Sequence, residues 1–128
     1  MSLPPTTDQA TSAEALRFGG IVAPPSAKVL GVQHDQGIDE RYRVVMSISP
    51  NDVAALLSGS GFTARPQPDS PPYQASVDGY DLSKATSVES VEDSLSPGNG
   101  RTRTIFRQVS VDHTDPAKPL VHFWLFTT

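Results

Sequence analysis

Three histidines are the first residues to weigh for chemistry. His34-Asp35 precedes Gly37 in one turn signal, and His113-Thr114-Asp115-Pro116 forms another. If the two turns meet, His34, Asp35, His113 and Asp115 supply a borderline nitrogen–oxygen donor set for a divalent metal. A small metal-assisted hydrolase built on those turns is therefore one expectation. The spacing matches no zinc motif, because H-E-x-x-H is absent and the chain has no Cys. His122 alternates with Leu120 and Trp124, which reads as a hydrogen-bonded core imidazole.

Other catalytic patterns are missing. No Ser stands in a G-x-S-x-G elbow, and Ser58-Gly59-Ser60-Gly61 lacks the Lys of a phosphate loop. The acid pairs Asp39-Glu40 and Glu92-Asp93 are adjacent, so on a strand they point to opposite faces. Arginine offers more. Arg41 and Arg43 share one face of a strand, and so do Arg101 and Arg103. Arg107 falls in phase with Ile105, Val109 and Val111, which makes it an inward arginine that needs a partner or a sign of a bulge. Such forks suit a carboxylate or phosphate ligand, or else pair across strands with Asp39, Glu40 or Asp112. Tyr73 and Tyr80 lie in a Pro-rich stretch and are candidates for partner contact or for covering the sheet.

The elements that would position these residues follow from pattern. Thr11 and Glu14 fit a capping box for a helix over Ser12 to Phe18, stopped by Gly19-Gly20. Lys28 to His34 and Ile38 to Ser49 read as a hairpin turning at Asp35-Gln36-Gly37, with Tyr42, Val44, Met46 and Ile48 alternating. Ser49-Pro50-Asn51-Asp52 starts a second helix over Pro50 to Ser58, whose apolar face is Val53, Leu56 and Leu57. From 63 to 100 Pro66, Pro68, Pro71 and Pro72 oppose regular structure, and Val88, Val91 and Leu95 permit a poor helix over 83–95. Arg101 to Asp112 and Leu120 to Thr127 form a second hairpin. Its last strand is bulky on both sides, which predicts a central strand covered above and below. The expected fold is α+β: a four-stranded antiparallel sheet from two hairpins, with one or two short helices packed on it. Met1 to Ala10 reads as an appended leader and flexible tether, and 11–128 as a single domain with a long irregular excursion at 63–100.

The chain has 128 residues, 37% of them hydrophobic and 19% charged, with a net charge of −4. That suits one domain and opposes nucleic-acid binding, which needs a positive field. No apolar run reaches the length of a membrane helix. No cofactor is expected.

Ala15-Leu16-Arg17-Phe18-Gly19-Gly20, Ala23-Pro24-Pro25-Ser26-Ala27, Ile38 to Met46 and the run Asp52 to Phe62 resemble small secreted or lipid-anchored domains of high-GC Gram-positive bacteria. The resemblance covers the first half of the chain and implies a cell-envelope address, without an activity or residue roles. The lipidated Cys of a full-length member is absent from the sequence. The leading expectation is thus a non-catalytic extracytoplasmic binding or interaction module, whose partner is a protein or a small anionic ligand at the cell envelope. The alternatives are the hydrolase above, an immunity-type inhibitor acting through acidic loops, and a cytoplasmic location.

Overall fold

In the computed structural model, which describes residues 4–35, 37, 39–68, 76–98 and 100–127, the first helix starts earlier than the Thr11–Glu14 pair predicts. Helix α1 runs Gln9–Phe18 and is capped by Asp8, whose carboxylate accepts from the Thr11 N–H at 3.0 Å and the Thr11 hydroxyl at 2.9 Å. Those two bonds hold the Asp8 carboxyl below its ordinary range. Thr11 is therefore inside the first turn and serves as a donor to the cap.

Strands β1 (Lys28–Asp35) and β2 (Arg41–Ser47) form the first hairpin; Gln36 and Ile38, in and just beyond its expected turn, lie outside the described residues. A single 3₁₀ turn, Pro50–Asp52, leads into helix α2, Val53–Gly59. Strands β5 (Ile105–Asp112) and β6 (Leu120–Phe126) form the last hairpin. The two hairpins join through antiparallel β2–β6 pairing, from Arg41 opposite Phe126 to Ser47 opposite Leu120.

The sheet has six strands, not four, in the order β1-β2-β6-β5-β4-β3. The additional two come from the stretch expected to be irregular: β3 is the two residues Gln67–Pro68, and β4 is Val88–Leu95, where a poor helix was expected. Spacing alone favoured the helix because Val88, Val91 and Leu95 are the apolar positions. On a strand, Glu89, Val91, Asp93 and Leu95 share a face, where Asp93 pairs with Arg107 of β5 and Glu89 bonds to His113 just beyond it. The fold remains α+β, and every pairing is antiparallel.

One face of the sheet carries the main core. Tyr42, Val44 and Met46 of β2 pair with Leu125, Phe123 and Val121 of β6, and Val109 and Val111 of β5 continue the rows. Ala15 of α1 and Leu56 and Leu57 of α2 close over them. The opposite face is covered unevenly. Around Gly31, Val77, Val45 and Tyr80 converge, and a Cβ on Gly31 would stand 3.1 Å from the Val77 methyl. Gln33 clamps this cover from below, donating to the Asp78 carboxylate and accepting from the Asp78 N–H. β6 is central, but Trp124 and Phe126 on this second face are only half-buried, so the expectation of full cover fails there.

At the outer edge of β1, Thr6 exchanges two backbone hydrogen bonds with Val32, at 2.9 and 2.8 Å. Part of the stretch read as a tether thus supplies one rung of the sheet.

Candidate functional site

The topology decides the metal hypothesis. Because β2 and β6 run antiparallel, the β1–β2 turn sits at the end of the sheet marked by Phe126, and the β5–β6 turn at the end marked by Leu120. Six residue steps along β2 separate the ends, about 20 Å. His34 and Asp35 are therefore far from His113 and Asp115, and the four do not form a site. No group of three or more potential metal ligands occurs among the described residues. His113 bonds to the Glu89 carboxylate at 2.7 Å, and Asp115 accepts from the Ala117 N–H in the turn. Asp35 pairs with Arg43 at 3.1 Å. The His34 ring stacks on Tyr42 with centroids 4.0 Å apart, and its buried Nε2 has no hydrogen-bond partner among the described residues.

The arginines sort by environment. Arg107 is fully buried. Its Nε and Nη2 donate to the two oxygens of Asp93 at 2.7 and 2.6 Å. Its Nη1 donates to the carbonyls of Gly19 at 3.0 Å and Ser60 at 2.8 Å, and the guanidinium lies 4.0 Å above the Phe62 ring. Gly19 and Ser60 cap the C-terminal ends of α1 and α2, where carbonyls lack helical partners. One cation therefore satisfies both helix ends at once. All three nitrogens of the Arg107 guanidinium are thus engaged by the protein.

Arg43 is likewise engaged, with Asp35, with the Ser76 carbonyl at 3.0 Å and with Asp78 at 3.6 Å. Arg41 is exposed and stands 3.7 Å from Asp39. Tyr80 is half-buried over Gly31 and belongs to the cover of the sheet. Tyr73 lies outside the described residues.

Position in the fold brings a different set of residues together. At the end of the sheet near Phe126, a cleft of about 680 Å³ opens between α1, the start of β2 and the segment leading into β5. Phe18, Tyr42 and Ile105 are its apolar lining, with Phe18 and Tyr42 rings 4.9 Å apart. Arg17, Arg101 and Arg103 bring positive charge to it, and Glu14 and Glu40 bring negative charge. Arg103 stands 3.4 Å from Asp39, and Arg101 donates through Nε to the Ser96 carbonyl at 3.2 Å. Arg17 makes no ion pair among the described residues. Burial, reinforced by the Glu14 and Glu40 carboxylates, pushes the Tyr42 hydroxyl far above its ordinary pKa, so it remains a protonated donor.

The volume falls in the range of small-molecule sites. An apolar lining with cationic forks at the mouth suits a ligand that joins a compact apolar body to a carboxylate or phosphate. Arg101 and Arg103 were visible in the sequence as a same-face pair at the start of an expected strand, although β5 begins only at Ile105, and Arg17 was not singled out. Nothing in their spacing joined them, because the join depends on β5 pairing with β6 and on α1 crossing β2. Comparison with family models, with curated proteins and with solved structures finds no match to this chain.

Proposed function

We propose that this chain is a non-catalytic binding module that holds a small anionic ligand in the cleft formed by Arg17, Arg101, Arg103, Phe18, Tyr42 and Ile105. One observation carries the reading. A chain with a net charge of −4 places three of its ten Lys and Arg residues around one cleft, where they outnumber its two acids, Glu14 and Glu40. A local positive excess attracts anions against the overall sign of the molecule. An extracytoplasmic address at the cell envelope is part of the proposal, supported by the resemblance of the first half of the chain to secreted and lipid-anchored domains.

Thermal denaturation at constant ionic strength tests it, with citrate, phenylacetate, decanoate and phosphate as probes. A ligand at a hundredfold excess over its Kd stabilises the fold by about 2.7 kcal/mol. At least one amphiphilic carboxylate should raise Tm for the parent protein. The rise should vanish in Arg17→Ala/Arg101→Ala and survive in Arg41→Ala, whose side chain lies outside the cleft. If every probe shifts Tm no more than sodium chloride does, the reading fails.

A further inference from the structure

We propose that the outer edge of β4, from Glu92 to Leu95, accepts an extended segment of a partner protein as an added strand, with an arginine or lysine side chain of that segment seated against Glu92. The first observation is the incomplete edge. β3 pairs with β4 only at Ser90 and Glu89, and among the described residues no strand pairs with β4 beyond that point. A free edge presents alternate N–H and C=O groups, the template that strand addition uses. The opposite edge of the sheet differs, since Thr6 already occupies Val32.

The second observation is chemical and independent of the backbone. A pocket of about 230 Å³ opens beside this edge on the half-covered face, lined by Glu92, Ser94, Phe106, Gln108 and Phe126 together with Asp93 and Arg107, whose side chains pair with each other on the opposite face. The Phe106 and Phe126 rings stack at 5.5 Å. Glu89 bonds to His113 and Asp93 to Arg107, while Glu92 is exposed and makes no ion pair among the described residues. A carboxylate beside two ring faces fits a cation on a long aliphatic stem, because the stem covers the rings and the head meets the charge. Phe106 lies two strand spacings from an added backbone, about 10 Å, a gap closed jointly by the long side chain and the ring.

The same residues argue against a second copy of this chain as the occupant. Edge-to-edge pairing of β4 with itself brings like carboxylates close together, which is destabilising. The anion cleft plays no part in this inference, and an arginine peptide is repelled by Arg17 and Arg101.

Backbone amide NMR of the full chain tests the proposal, titrated with a blocked octapeptide of alternating arginine and threonine. Saturable shifts should centre on Glu92, Asp93, Ser94 and Leu95. N-methylation of alternate peptide residues should abolish them, and Glu92→Lys, a surface change, should weaken binding about tenfold. Absence of shifts at millimolar peptide, equal binding of a glutamate–threonine peptide, equal binding of the N-methylated peptide, or a β4–β4 dimer would each overturn it.

Discussion

His122 shows how a polar residue can be correctly placed and still be misread. It alternates with Leu120 and Trp124 as a core residue should, and it is 2% exposed between Val45 and Ser110. The expected hydrogen-bonded imidazole is not complete, because its buried Nδ1 has no partner among the described residues. Burial pushes its pKa down from 6.5 to about 4, opposed in part by the Asp112 charge. The unfolded chain therefore binds the proton more readily across that window. Stability from this group is complete above pH 6.5 and falls as the pH drops toward 4, by about 3 kcal/mol. Chemical denaturation at pH 7 and pH 4 checks this: His122→Gln should narrow the difference between the two by a comparable amount. An unchanged difference would assign acid sensitivity to the carboxylates instead.

Elements were legible where one residue class occupied one face. The β1–β2 hairpin and the β6 strand carry apolar alternation, and Pro50 marks the helical start, although Ser49 makes no side-chain cap bond and the first turn is 3₁₀. β4 was not legible, because Glu89 and Asp93 occupy its inner face and owe their place to His113 and Arg107. Partners supplied by other strands are invisible to a local pattern. Docking of α1 is similarly set from a distance. A Cβ added at Gly19 would stand 2.5 Å from a Leu125 methyl carbon, so the helix end approaches β6 more closely than any side chain permits. Gly19→Ala should cost about 1–3 kcal/mol through overpacking. Urea denaturation measures it, and Leu125→Ala in the same chain should recover part of that cost by vacating the space. If Gly19→Ala is neutral, the approach is looser than described.

At the scale of the molecule, Arg107 ties β4, β5 and the C-terminal ends of both helices into one body. Its phase with Ile105, Val109 and Val111 announced an inward cation in need of a partner, while Asp93 and the two carbonyls could be identified only in three dimensions. Arg107→Leu keeps bulk but strands those partners, and should cost about 3–5 kcal/mol. Asp93→Leu added to it should recover part of the loss, and a double-mutant cycle by denaturant titration measures the coupling. Additive losses would mean that the pair contributes nothing jointly. The candidate cleft was legible only as scattered parts, for a related reason: whether hairpin tips meet or part depends on which strands pair, and β2–β6 pairing parts them.

That same pairing sets an order of events during synthesis. β2 leaves the ribosome before β3, β4 and β5, and β6, its neighbour at the centre of the sheet, emerges after them. Until then the nascent first hairpin presents Tyr42, Val44 and Met46 without Leu125, Phe123 and Val121 opposite them. The central pairing therefore spans three intervening strands in sequence, the kind of non-local contact that slows folding.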